Sequence, residues 1–178
     1  DAAGRITGVE FVGRFNTGAY SSWGPTVANR VPVHASGPYF TPAISARARA
    51  VHTHGPVSGA FRGFGVPQSA IALESLLDEL AIKLGIDPLE FRLAHIDHAP
   101  SRKVLEAVAE MCNWQGARLG PGRGRGVAFV ESFGVPCAQV VEVVQVYSSY
   151  HRLLLAMLTK FVCISLPTTI WLASMCWF

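Results

Sequence analysis

Three glycines within seven residues, set among large side chains and followed almost at once by a proline, constrain this chain more than any other feature: Gly59-Ala60-Phe61-Arg62-Gly63-Phe64-Gly65-Val66-Pro67-Gln68. Glycine reaches backbone dihedrals closed to other residues and lets the main chain approach a neighbour closely, while Pro67 suits the first turn of a helix. Such a turn either reverses the chain or cradles a ligand. As a cradle it would offer N–H groups and the positive end of a helix dipole to an anionic or oxo-bearing group, with Phe61, Arg62 and Phe64 alongside. A phosphate loop is a poor match, because no Lys-Ser or Lys-Thr follows the glycines and no acidic ribose partner stands at the usual spacing.

Beyond the turn the helical signal is strong. Leu73, Leu76, Leu77, Leu80 and Leu84 recur at offsets of three, four, seven and eleven, which turns one stripe toward a core and leaves Glu74, Asp78 and Lys83 in water. Gly85 is a stop signal; Asp87 then caps a second helix, with Pro88 at its first position and Glu90 at capping-box spacing before Phe91 and Leu93. A third helix is predicted from Ser101 or Arg102 to about Cys112, with Val104, Leu105, Val108 and Met111 on its core face. Strands are predicted from Ile6 to Phe15, Ala43 to Thr53, Arg125 to Phe133 and Ala138 to Val146. Residues 21–42 carry Pro25, Pro32, Pro38 and Pro42 and read as loop with room for one short helix, and Gly116 to Gly126 reads as a second loop. The class is α+β: mixed, mainly antiparallel strands with two or three packed helices.

With 50% hydrophobic and 15% charged residues, the 178-residue chain has the makings of a globular core. A net charge of +3 is too small to define a nucleic-acid surface, and the run Gly122-Arg123-Gly124-Arg125-Gly126 reads as a flexible connection, so no nucleic-acid partner is expected. Cys112, Cys137, Cys163 and Cys176 lack any close pairing motif; they encode neither a zinc site nor an iron–sulfur cluster and suit a reducing, cytoplasmic setting. His52 and His54 would project to the same side of a strand, as a polar pair or as two ligands of a zinc site whose third ligand the sequence does not place.

The run Ala60-Phe61-Arg62-Gly63-Phe64-Gly65 with Pro67-Gln68, then Asp78-Glu79-Leu80-Ala81, Leu84-Gly85, Asp87-Pro88 and Glu90-Phe91-Arg92-Leu93, resembles the molybdopterin-binding subunit of the xanthine dehydrogenase and aldehyde oxidase family. Thr17-Gly18-Ala19-Tyr20, Gly37-Pro38-Tyr39 and Thr53 followed by Pro56 extend the resemblance, which spans roughly residues 4 to 146. It implies that residues 1–146 are a fragment of a larger molybdopterin-binding domain. The implied reaction is hydroxylation of an aldehyde or a purine-like N-heteroaromatic compound with oxygen from water. The implied cofactor is molybdenum-molybdopterin, with iron–sulfur clusters and FAD on other domains or subunits that are partners, as are the remaining parts of the large subunit.

The resemblance also implies roles for single residues. The main chain of Phe61, Arg62 and Gly63 would lie against the molybdenum centre, with no side chain ligating the metal, and Phe64 would flank the substrate ring. Arg30, 32 positions before Arg62 and nine before Tyr39, stands where an arginine orients purines and stabilises developing negative charge; an ordinary solvated arginine is the alternative. His54 stands where the family usually has Asn. The family's Gly-Glu motif, which carries the general base, and its glutamine-containing pterin loop have no match, so the isolated chain is expected to be catalytically incomplete.

From Tyr147 to Phe178 there is no Asp or Glu, and the resemblance stops. This apolar tail, residues 147–178, reads either as a nonnative extension of the kind a shifted frame produces or as a membrane segment, since residues 161–178 run 18 positions without charge behind Arg152 and Lys160. Two further readings of the chain stand beside the enzyme fragment: a noncatalytic interaction module and a small membrane-anchored protein.

Overall fold

The computed structural model describes residues 1–115, 119–147, 153–165 and 169–176. The chain divides into two compact units, Asp1–Asp97 and His98–Phe178. The α+β class holds in both.

In the first unit, strand β1 (Val9–Gly18) leads into helix α1 (Gly24–Val33), which crosses over to strand β2 (Ile44–His52), and the two strands pair in parallel from Val9 opposite Ile44 to Phe15 opposite Ala50. Along β1, Val9, Phe11, Gly13 and Phe15 turn inward while Glu10, Val12, Arg14 and Asn16 face out, the alternation already legible in the sequence although the strand runs three residues later than predicted. Helix α1 is the short helix for which the proline-rich segment 21–42 leaves room. Pro25 falls in its first turn, where no donor is lost, and Pro32 lies one residue from its end, so neither breaks it. With α1 the described residues hold four helices.

Helix α2 (Val66–Leu84) and helix α3 (Pro88–Ala94) follow with the predicted punctuation. Gly85 closes α2 in the left-handed region, and Ile86 N–H reaches back to Ala81 O at 2.9 Å. The Asp87 carboxylate accepts from the N–H groups of Leu89 and Glu90 at 2.8 and 3.2 Å. The apolar stripe of α2 is rotated from the expected one: Leu73, Leu77 and Ala81 are buried, whereas Leu76 and Leu84 are exposed. Glu74, expected in water, is buried as well, because Arg92 and Tyr39 meet its carboxylate there.

The second unit opens with helix α4 (Ala99–Met111), two residues earlier than predicted because Pro100 sits in its first turn. Val104, Leu105 and Val108 are buried, but Met111, expected in the core, is exposed. Strands β3 (Arg123–Ser132), β4 (Val135–Tyr147), β5 (Leu153–Ser165) and β6 (Thr169–Cys176) form an antiparallel sheet in chain order. The β3–β4 turn carries positive φ at both Phe133 and Gly134, which matches the twist of a tight hairpin. The arginine-glycine run is not a connection but the start of β3: Arg125 pairs across the ladder with Glu142 at 2.7 Å and lies over the Trp114 ring. Within the expected loop, residues 116–118 lie outside the described residues. So do residues 166–168 and 177–178 of the candidate membrane segment, and among the described residues no helix is long and apolar enough to cross a membrane.

Candidate functional site

In the first unit the parallel strands end at Gly18 and His52, and the segments leaving those ends run to the same place. In open α/β arrangements that place, beyond the carboxyl ends of parallel strands, is where ligands bind. Residues 53–58 are held against the end of β1: Thr53 N–H donates to Gly18 O at 3.0 Å, Ala19 N–H to Gly55 O at 3.2 Å and Ser58 N–H to Thr17 O at 3.0 Å. Strand β2 stops at His52, so His54 falls outside it and the two histidines do not form a strand pair. His52 instead places Nδ1 3.3 Å from Gly18 O, and among the described residues no group of three His, Cys, Asp or Glu side chains could hold a metal ion.

The chain then enters the glycine turn. Gly63, Phe64 and Gly65 all lie in the left-handed region, with φ of 94°, 50° and 94°. The two glycines meet the turn's own needs. A Cβ on Gly63 would strike the Pro67 ring at 2.5 Å, and one on Gly65 would come within 2.8 Å of Val27 O on α1. Gly59 differs, since a Cβ there would meet nothing within 4 Å. Helix α2 starts from Gly65 without a side-chain cap. Phe61 is 82% exposed, and Arg62 and Gly63 are exposed beside it.

Arg30, on α1, is brought to this turn. Its Cβ lies 3.1 Å from where a Gly65 Cβ would be, so residues 32 positions apart from Arg62 in sequence become neighbours of the loop. One helical turn further on, His34 is shifted below its usual range, first by burial and then by the positive charge of Arg30. Trp23, the residue capping α1, meets the Phe64 ring edge-on, with centroids 6.1 Å apart and planes at 70°. The resemblance points to Arg30 and Phe64 but not to Trp23 or His34. Their signals were the Gly24-Pro25 helix start behind Trp23 and the four-residue spacing of His34 from Arg30.

Residues 1–96 match the molybdopterin cofactor-binding domain. The chain belongs to that family. Its relatives include the large molybdopterin subunit of nicotinate dehydrogenase from Eubacterium barkeri, 40% identical over 60% of this chain and 25% of that protein. The molybdenum-binding subunit of a xanthine dehydrogenase from Escherichia coli is 42% identical over 44% of this chain and 10% of its own length. Among solved structures, an aldehyde oxidoreductase from Desulfovibrio desulfuricans aligns with a TM-score of 0.63 and 25% identity, over 88% of this chain and 19% of that one. The chain thus spans a quarter or less of each of these proteins. The family match contains the whole glycine turn, α1 and both parallel strands, which puts the convergence of Arg30, Trp23 and Phe64 inside a molybdopterin cofactor-binding domain.

Proposed function

We propose that this chain forms part of the large subunit of a molybdenum hydroxylase that oxidises aldehydes or N-heteroaromatic compounds with oxygen derived from water. One observation carries the reading: the exposed residues Phe61, Arg62 and Gly63 lead into Phe64 and Gly65, and Gly65 packs against Arg30 on α1.

These residues suit the cofactor. The accessible main chain of the turn would hold the molybdenum-pterin group, and the open side at Gly59 leaves room where a Cβ has no neighbour. When bound, the group supplies oxygen transfer to an electron-poor carbon and accepts the electrons released. The chain's own residues do the rest. Phe64 stacks against a flat substrate and fixes its plane. Arg30 donates from its guanidinium to an oxo or ring-nitrogen acceptor and stabilises negative charge as it develops. The uncapped start of α2 adds a positive dipole end on the same turn.

Iron–sulfur and flavin partners that carry electrons away, and a reducing cytoplasmic location, belong to the same proposal. The reading is tested by expressing the full-length large subunit with its partner subunits and measuring molybdenum and pterin content together with turnover of acetaldehyde, nicotinate and isoquinoline. Bound molybdenum with turnover of at least one substrate is expected. A subunit that folds yet takes up neither metal nor pterin overturns it.

A further inference from the structure

Phe64 holds a backbone conformation that a residue with a side chain adopts at a cost, φ 50° between two glycines at 94°. Strain of this kind persists where the surroundings fix a side chain in place, and the surroundings here include Trp23. The indole meets the Phe64 ring at 6.1 Å between centroids and 70° between planes, and it remains 58% exposed. Its position is set by the turn that starts α1: Gly24 N–H donates to Ser21 O at 2.8 Å, and Val27 N–H donates to Trp23 O at 3.0 Å. Seven residues along, roughly two helical turns or about 10 Å of rise, the same helix carries Arg30 against Gly65.

Two near-perpendicular aromatic planes make a corner. A flat ring laid on one of them presents its edge to the other, the two geometries that aromatic pairs prefer. An aliphatic aldehyde of two or three carbons has neither the face nor the area to use both walls.

We propose that Trp23 is a specificity-determining residue that, with Phe64, selects planar N-heteroaromatic substrates over small aldehydes. The inference rests on the reading of Phe64 as a substrate-stacking residue, and the test separates the two. The assembled, molybdenum-loaded enzyme is prepared as wild type, Trp23→Ala, Trp23→Phe and Phe64→Ala. kcat and KM are measured for isoquinoline and acetaldehyde, and tryptophan emission is followed during titration with isoquinoline without an electron acceptor. In Trp23→Ala the ratio of kcat/KM for isoquinoline to that for acetaldehyde falls about tenfold, mainly through KM, the scale of one lost aromatic contact. Trp23→Phe recovers most of the ratio and loses the emission change that isoquinoline produces in wild type. An unaltered ratio in Trp23→Ala, with Phe64→Ala impaired, overturns the role of Trp23 and leaves the stacking role of Phe64 standing. Unaltered kinetics in Phe64→Ala removes both.

Discussion

Arg92 donates from Nε to the Glu74 Oε2 oxygen across 2.9 Å, with its side chain fully buried. The same guanidinium donates to Asp78 Oδ1 at 2.6 Å and to the carbonyls of Pro88 and Glu74 at 3.0 and 3.1 Å, so α3 is riveted to α2 through one side chain. Tyr39 completes the group by donating its hydroxyl to Glu74 Oε1 at 2.8 Å. A buried cation with this many acceptors is satisfied, and its removal takes the positive charge away from a buried carboxylate.

Arg92→Ala should therefore destabilise the chain by about 3–5 kcal/mol, the scale of breaking a buried pair from one side. Asp78, 39% exposed, marks the wet end of the network. Asp78→Asn should cost no more than about 1 kcal/mol, because solvent screens that contact. Urea denaturation of the purified variants measures both. Equal losses in the two would mean that burial does not set the weight of these pairs.

Tyr39 gives the network a pH signature. Burial raises its pKa well above 10, the negative charge of Glu74 raises it further, and Arg92 opposes both. The folded chain thus keeps the phenolic proton where the unfolded chain has lost it, and stability declines as pH rises past 10. Tyr39→Phe should lose about 1 kcal/mol at neutral pH with the hydrogen bond, and its stability should fall less steeply between pH 9 and 11. Denaturation midpoints across that range decide the matter; parallel slopes for the two proteins would exclude Tyr39 as the source.

Residue patterns foretold the parts of this fold that depend on local chemistry. Asp87-Pro88 and Gly85 mark helix ends because their side chains, or the lack of one, act within a turn of the chain. What sequence reading missed depends on distant partners. Glu74 reads as a wet position on α2 until Arg92, 18 residues later, and Tyr39, 35 residues earlier, bury it. Room for one short helix among the prolines of 21–42 is legible, but its bounds are not; α1 forms there because Pro25 and Pro32 stand at one end and near the other, positions a helix tolerates. At the site, Arg30, Phe61, Arg62, Gly63 and Phe64 were named by resemblance, but the glycines at 63 and 65 proved to serve the turn and its contact with α1. Trp23 remained unseen because nothing within its own segment signals that it will meet a ring 41 positions away.

His34 supplies a second pH test, at the other end of the scale. Burial and Arg30 hold its pKa below 6.5, so between that value and the lower folded one the unfolded chain binds the proton and the folded chain does not. Stability is then highest above pH 6.5 and declines as pH falls. In His34→Gln the acid decline should be shallower, read from thermal midpoints at pH 7.5 and 5.5. In Arg30→Gln the imidazole resonances of His34 should titrate at higher pH than in wild type. A titration that does not move would show that Arg30 is not what the ring senses.

The glycine turn makes its last distinction between folding and cofactor binding. At Gly65 a side chain must take up φ 94° and press on Val27 O at 2.8 Å, so Gly65→Ala should destabilise the chain by at least about 2 kcal/mol, through left-handed strain before any clash is counted. At Gly59 there is no neighbour within 4 Å and no left-handed φ, so Gly59→Val should leave the thermal midpoint of this chain within about 1 °C of wild type. If the open side at Gly59 is where the pterin lies, the same substitution in the full-length subunit lowers molybdenum content, because a branched side chain fills space that the cofactor needs. Metal analysis beside thermal denaturation separates the effects. Undiminished molybdenum in a stable Gly59→Val subunit would move the cofactor away from that side of the turn, toward Phe61, Arg62 and Gly63 alone.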